Sequence, residues 1–296
     1  MKARIIIGAV LILLISALLW LDWWLERAGL PQLPARVVAQ SQPLKALPLA
    51  ALLTLLIAAG YLELARLAES AGAGTLGFTG LLATLIVGTL PFWRQMTDPD
   101  EPMLLAAVLG LTMLAFFIDQ IVHYRTAGVV RRVGASLLAV GYLGVCGALL
   151  LAIRIRFGVP MLVLFLVAVK GTDIGAYFAG SWLGRHRLIP WLSPKKTWEG
   201  LIGGLILAAA GGVGVAAASR SLPGGGAGMA LPAAAALAVV LGFVGQIADM
   251  CESAMKRDAG LKDSGAALPA FGGVLDVLDS PLLAAPVAYL LLAAVA

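Results

Sequence analysis

The stretch PMLLAAVLGLTMLAFFIDQIV, residues 102–122, contains a single charged side chain, Asp119. A helix of about 20 mostly apolar residues crosses the ~30 Å hydrocarbon core of a bilayer. Similar runs recur along the whole chain, which has 61% apolar residues, 12% charged residues and a mean hydropathy of +0.97. Their positions predict about nine transmembrane helices, at residues 4–24, 46–65, 74–93, 102–122, 133–153, 156–172, 200–218, 229–247 and 281–296.

This composition excludes an ordinary soluble domain and predicts an all-α integral membrane protein. The chain is basic, with a formal net charge of +5. Basic residues in membrane proteins mostly mark cytoplasmic loops and anionic headgroups, so they do not indicate nucleic-acid binding. The two cysteines, Cys146 and Cys251, form neither a metal motif nor a disulfide framework. The apolar run after Lys2 and Arg4 has no clear small-x-small cleavage site, so we interpret it as an uncleaved first helix.

The distribution of Lys and Arg predicts the orientation. If the N-terminus is cytoplasmic, the inner loops carry about twice as many of these residues as the outer loops. The two long polar loops, 170–199 and 248–280, then face the cytoplasm.

Acidic residues are concentrated in the second half. Half of the 16 carboxylates lie between residues 170 and 280. Ionisable groups close to a membrane interior are costly and tend to persist where they bind something. These eight are Asp173, Glu199, Asp249, Glu252, Asp258, Asp263, Asp276 and Asp279.

The segment QIADMCESAMKR, residues 246–257, places five polar side chains on one helical stripe. They are Asp249, Glu252, Ser253, Lys256 and Arg257. The stripe is typical either of a solvated cytoplasmic helix or of a helix that lines a wet cavity. We favour the cavity because the stripe begins inside an apolar run.

In FGGVLDVLDS, residues 271–280, Asp276 and Asp279 are three residues apart and share a helical face. Paired carboxylates in apolar surroundings repel each other unless a cation neutralises them. Mg²⁺ prefers such oxygen ligands, and Asp249 could supply a third. The preceding glycines, Gly272 and Gly273, allow close backbone approach, and turn amides can hold anions. The alternative is that these acids only cap the final helix.

The segment LSPKKTWEG, residues 192–200, predicts a helix that Ser193 caps and Pro194 begins. Lys195 and Lys196 would then lie beside helix-terminal amides, a favourable place for phosphate. A simple positive-inside loop is the alternative. Asp173, at the end of an apolar span, fits a cap as well as a site. Together these segments suit phosphoryl or nucleotidyl transfer to a lipid-borne group.

Several short segments follow one another in a characteristic order: TDIGAYFAG at 172–180, SPKKTWEG at 193–200, Ser253-x-x-Lys256-Arg257, Lys262-Asp263, Pro269-x-Phe271-Gly272-Gly273 and Asp276-x-x-Asp279. In this order the chain resembles the phosphatidate cytidylyltransferases, also called CDP-diacylglycerol synthases. The resemblance covers roughly residues 170–296. It therefore predicts a catalytic transmembrane region at 170–296, preceded by variable transmembrane helices at 1–169.

The resemblance implies the reaction of CTP with phosphatidic acid to give CDP-diacylglycerol and pyrophosphate, at the inner (cytoplasmic) membrane of a bacterium. The expected partners are these substrates and the lipid bilayer, with no nucleic acid and with a homodimer left open. Two positions depart from the family pattern, because Phe271 replaces a histidine and Val277 an arginine. The other motif residues are intact, so we expect an active enzyme, with a catalytically impaired homologue as the alternative.

The resemblance also implies residue roles. The carboxylates expected to hold Mg²⁺, with a second cation such as K⁺ left open, are Asp249, Asp276 and Asp279. The catalytic side chains, expected to bind or position the triphosphate and the lipid phosphate, are Ser193, Lys195, Lys196, Thr197, Ser253, Lys256, Arg257 and Lys262. The residues expected to support substrate binding are Asp173, Glu199, Asp263, Gly272 and Gly273.

Other functional classes fit the sequence less well. An ion-coupled transporter also uses intramembrane acids and glycine-broken helices, but it predicts polar residues scattered over both halves. CDP-alcohol phosphotransferases need a longer Asp-Gly…Ala-Arg…Gly…Asp…Asp run, which is not found here. A non-catalytic scaffold would not need the paired aspartates.

Overall fold

The computed structural model describes residues 2–29, 44–96, 103–221, 229–266 and 272–295. Almost all of this part of the chain is helical, as the apolar runs predict. The helices are α1 Lys2–Arg27, α2 Leu47–Ser70, α3 Gly77–Trp93, α4 Leu104–Asp119, α5 Val129–Ala139, α6 Cys146–Leu183, α7 Trp198–Arg220, α8 Leu231–Asp258 and α9 Leu275–Val295. Phe271 lies outside the described residues.

Short irregular segments join some of these helices. A 3₁₀ turn, Arg94–Met96, follows α3, and π-helical segments at Gln120–Tyr124 and Val140–Val145 follow α4 and α5. Between α6 and α7 the chain forms an antiparallel β-hairpin of β1, Arg187–Ile189, and β2, Ser193–Thr197.

Seven helical runs in the described ranges are long and apolar enough to cross a bilayer. They are Ile7–Arg27, Leu47–Ser70, Leu104–Tyr124, Val129–Leu183, Trp198–Arg220, Leu231–Asp258 and Leu275–Val295. The predicted count of nine is therefore not confirmed. Helix α3 has only 17 residues. The run Val129–Leu183 has 55 residues, about 80 Å at 1.5 Å per residue, and it leaves helical geometry at Gly158, where φ is 82° and ψ is 175°.

The chain packs as two compact units. Unit 1 comprises Met1–Ile155 and Asp258–Val277, and unit 2 comprises Arg156–Arg257 and Leu278–Ala296. This division reflects packing, whereas the boundary predicted after residue 169 concerns sequence variability and stays a prediction.

In unit 1, apolar side chains and small residues bring the helices together. One buried cluster consists of Leu76, Ala83, Val87, Phe116, Val133 and Val140. A Cβ atom on Gly144 would lie only 3.2 Å from the Thr84 carbonyl oxygen and 3.3 Å from the Val87 Cβ. Helices in lipid associate through such close contacts, because lipid tails leave little hydrophobic driving force between them.

A buried ion pair also joins two helices of unit 1. The Arg154 Nε of α6 donates to the Asp22 Oδ2 of α1 at 2.5 Å, and its Nη2 donates to the Glu26 Oε2 at 2.8 Å. The Arg154 and Asp22 side chains are almost fully buried. A buried charge requires such pairing, so this contact attaches the mostly exposed helix α1 to the unit.

In unit 2, glycines allow α6, α7 and α8 to approach backbone to backbone. A Cβ on Gly175 of α6 would lie 2.9 Å from the Gly204 Cα of α7. A Cβ on Gly212 of α7 would lie 2.9 Å from the Ala234 carbonyl oxygen of α8. A Cβ on Gly242 of α8 would lie 3.3 Å from the Ala168 carbonyl oxygen of α6. This packing brings polar residues of α6 and α8 into contact.

Candidate active site

Three carboxylates meet inside unit 2. One oxygen from each of Asp249, Glu252 and Asp279 lies within 4.8 Å of the other two. Asp249 and Glu252 are three residues apart on one face of α8, and Asp279 comes from the first part of α9. Glu252 is fully buried and Asp279 is 5% exposed. Three converging carboxylates are a ligand set for a hard divalent cation such as Mg²⁺, which binds oxygen.

Lysines surround this carboxylate cluster. The Lys196 Nζ of β2 lies 2.6 Å from the Asp249 Oδ2, and Lys256 forms an ion pair with Glu252. The Lys170 Nζ of α6 lies 3.4 Å from the Asp279 Oδ1 and 3.3 Å from the Asp173 Oδ2. Cations at these positions offset the repulsion between the acids.

Asp173 joins the edge of the cluster. Its Oδ1 accepts a 2.7 Å hydrogen bond from the Gln246 Nε2, while the Gln246 carbonyl oxygen accepts one from the Lys196 Nζ at 3.4 Å. These contacts link α6, α8 and the hairpin. Asp173 therefore contacts both Lys170 and Gln246 rather than only capping a helix.

Asp276 belongs to unit 1 and makes different contacts. Its Oδ2 accepts hydrogen bonds from the main-chain nitrogens of Ser264, at 3.0 Å, and Gly273, at 2.7 Å, and from the Ser264 hydroxyl at 2.9 Å. The predicted ligand trio of Asp249, Asp276 and Asp279 thus differs from the trio whose oxygens converge, which includes Glu252. The Gly273 N–H, predicted to face an anion, donates to Asp276.

Comparison with known proteins places this chain in a family. The sequence profile of the Cytidylyltransferase family matches residues 36–295. The chain belongs to this family. Known cytidylyltransferase relatives include the phosphatidate cytidylyltransferase of Brucella suis, 46% identical over 134 residues, which are 45% of this chain and 47% of the relative.

Two further cytidylyltransferase relatives match longer segments. The phosphatidate cytidylyltransferase of Bacillus subtilis is 39% identical over 165 residues, which are 54% of this chain and 58% of the relative. That of Helicobacter pylori is 36% identical over 187 residues, 63% of each chain. The chain spans about half the length of the Brucella relative that it matches, and somewhat more of these two.

One local prediction from the sequence was wrong. Pro194 does not begin a helix, because Ser193–Thr197 is strand β2 and α7 begins at Trp198. Thr197 caps α7, with its side-chain oxygen accepting the Gly200 N–H at 3.1 Å. A helix begun at Pro194 would have placed two lysines at the positive end of its dipole, whereas the hairpin avoids this arrangement.

Replacing Thr197 with valine is therefore expected to lower stability by about 1 kcal/mol, because an N-cap hydrogen bond is lost. Thermal unfolding of purified protein in detergent measures the change. Thr197→Ser keeps the hydroxyl and should remain close to wild type. Equal loss in both variants would contradict the capping role.

The remaining predicted residues lie at several places. Ser253 is half-buried on α8, and Arg257 is exposed near its end. Lys262 and Asp263 are exposed in unit 1. Glu199 accepts hydrogen bonds from the His186 main-chain nitrogen, at 3.2 Å, and faces its ring Nδ1 at 2.6 Å, so it organises the hairpin.

Sequence reasoning missed Lys170, Gln246 and the convergence of Glu252 with Asp249 and Asp279. A signal existed for two of them. Lys170 is an isolated cation in an apolar run, three residues before Asp173, and Glu252 lies on the stripe that begins at Asp249. No sequence signal distinguished Gln246 from an ordinary polar residue of that helix.

Proposed function

We propose that this chain is a phosphatidate cytidylyltransferase, which converts CTP and phosphatidic acid into CDP-diacylglycerol and pyrophosphate. The observation that carries the proposal is the cluster of partly buried Asp249 with buried Glu252 and Asp279, surrounded by lysines in a helical membrane unit. The printed names of the relatives support the same activity.

In the proposed reaction, a phosphate oxygen of phosphatidic acid forms a bond to the α-phosphorus of CTP. The bond from that phosphorus to the oxygen bridging to the β-phosphate breaks, and pyrophosphate leaves with the electron pair. The attacking oxygen is already anionic near neutral pH, so little general-base assistance is needed. The main obstacle is repulsion between anions, which cationic groups relieve.

Asp249, Glu252 and Asp279 would hold Mg²⁺, and Glu252 takes the place of Asp276 in the predicted ligand set. Bound there, the ion would neutralise phosphate charge and stabilise the transition state. Lys196, Lys170 and Lys256 provide further positive charge, since each already lies against one of these carboxylates.

We also propose nine membrane crossings with the site facing the cytoplasm. The break at Gly158 divides the 55-residue run into two lengths that could each cross, and the 17 residues of α3 lie at the short end of spanning helices. The positive-inside bias supports a cytoplasmic site at the inner membrane of a bacterium.

The test is CTP-dependent formation of CDP-diacylglycerol by purified protein in mixed micelles containing phosphatidic acid. We expect product with Mg²⁺ and none after chelation with EDTA. A folded protein that forms no product under either condition would overturn the activity and favour an impaired homologue. Uptake of an ion into proteoliposomes without nucleotide turnover would instead indicate a transporter.

A further inference from the structure

A buried glutamate of unit 1 contacts the segment that leads into α9. Glu63 lies in the middle of α2, in unit 1, and is 4% exposed. Its Oε1 accepts the main-chain N–H of Val274 and its Oε2 that of Leu275, both at 2.9 Å. The Ser264 hydroxyl lies 3.0 Å from the same Oε2. Glu63 is thus an N-terminal cap of α9 that a different helix supplies.

Asp276 completes this cluster from within the segment. Its Oδ2 accepts hydrogen bonds from the main-chain N–H groups of Ser264 and Gly273 and lies 2.9 Å from the Ser264 hydroxyl oxygen. A hydroxyl has one hydrogen to donate, so the four main-chain N–H groups provide most of the hydrogen bonds to the two carboxylates. Such bonds, with the positive end of a helix dipole, make buried carboxylates tolerable.

The glycines around Glu63 leave room for its side chain. A Cβ on Gly265 would lie 2.5 Å from the Glu63 Oε1 and 2.8 Å from its Cδ. A Cβ on Gly273 would collide with the Ser264 hydroxyl and lie 2.7 Å from the Glu63 Cδ. Gly272 adopts φ 98°, which favours glycine. The Gly-Gly sequence therefore serves packing against Glu63 and Asp276.

We infer that Glu63 is a positioning residue for the nucleotidyl transfer, an inference that rests on the proposed function. It fixes the main chain at Val274 and Leu275, and Asp279 follows Leu275 by one turn on the same helix. Because a carboxylate ligand must be held accurately to act, release of this cap should impair the reaction without any contact between Glu63 and substrate.

Glu63→Gln is the informative variant. It keeps the size of the side chain but places an NH₂ group against a main-chain N–H, so one of the two helix-start bonds is lost. We expect kcat to fall about 10-fold and the Mg²⁺ concentration for half-maximal activity to rise, with KM for CTP unchanged. Glu69→Gln, an exposed acid on the same helix, is the matched control and should behave as wild type.

Hydrogen–deuterium exchange provides a readout that does not depend on activity. Peptides covering Val274 to Asp279 should exchange faster in Glu63→Gln than in wild type and Glu69→Gln. Unchanged exchange in the folded variant would overturn the inference. Faster exchange with normal kcat and normal Mg²⁺ dependence per folded molecule would also overturn it, because Glu63 would then serve stability alone.

The two proposals fail in different ways. If wild-type protein forms no product, the proposed function fails, and exchange alone decides whether Glu63 holds the start of α9. If Glu63→Gln does not accumulate as folded protein, Ser264→Ala removes only the shared hydroxyl. Ser264→Ala should also speed exchange and lower kcat, but by smaller amounts than Glu63→Gln. Unchanged exchange and kcat in Ser264→Ala would contradict the inference.

Discussion

Replacing Asp279 with asparagine is expected to lower kcat for CDP-diacylglycerol formation by about 1000-fold, with the folded protein retained. The amide has nearly the same size as the carboxylate but no negative charge. It therefore removes one of three converging carboxylate charges and leaves Lys170 beside a neutral group. Initial rates at saturating CTP, measured over a range of Mg²⁺ concentrations, test this expectation. Excess Mg²⁺ should not restore the rate, because the missing ligand also orients the site.

Controls separate this effect from a general loss of negative charge. Asp258→Asn, at the exposed end of α8, should keep wild-type turnover. Thermal unfolding should show that Asp279→Asn remains folded. Near wild-type turnover in Asp279→Asn would refute the assignment of this residue to the reaction.

The two candidate ligand sets can be compared in the same assay. If Glu252 belongs to the metal-binding trio, Glu252→Gln should raise the Mg²⁺ concentration needed for half-maximal activity. Asp276→Asn should mainly weaken the segment that precedes α9, since its Oδ2 binds main-chain N–H groups there. The reverse pattern would restore the ligand set predicted from the sequence.

The helical class follows from the sequence because apolar runs of bilayer length have few other uses. The number of crossings does not follow so directly. Val129–Leu183 is one long apolar run, and its break depends on the conformation of Gly158, which composition does not reveal. The hairpin also escaped prediction, because its strands have only three and five residues and β2 contains a proline.

The carboxylate cluster was predictable where its residues share a helix. The spacing of Asp249 and Glu252 places both on one face of a helix, and Asp279 belongs to the characteristic motif Asp276-x-x-Asp279. The same spacing rule grouped Asp276 with Asp279. In the structure, however, Asp276 accepts hydrogen bonds from nearby main-chain N–H groups. Glu63 could not be found in this way, since its partners Val274 and Leu275 are more than 200 residues away in sequence.

Replacing Lys196 with glutamine is expected to lower kcat/KM for CTP by about 100-fold, whereas the same change at Lys195 should have little effect. The two lysines are neighbours on β2, and successive strand residues point to opposite faces. Lys196 is half-buried and its Nζ lies 2.6 Å from the Asp249 Oδ2. Lys195 is exposed.

Because each variant removes one positive charge from the same hairpin, long-range electrostatic attraction of CTP changes similarly in both. Any large difference between them must come from the local contact that Lys196 makes. Rates measured at two ionic strengths provide a further check, since a screened, long-range contribution falls with added salt and a buried contact does not. Equal losses that disappear at high salt would show that the hairpin acts only as a diffuse basic patch. A persistent loss confined to Lys196→Gln would show that the contact between its ammonium group and Asp249 is needed for the reaction.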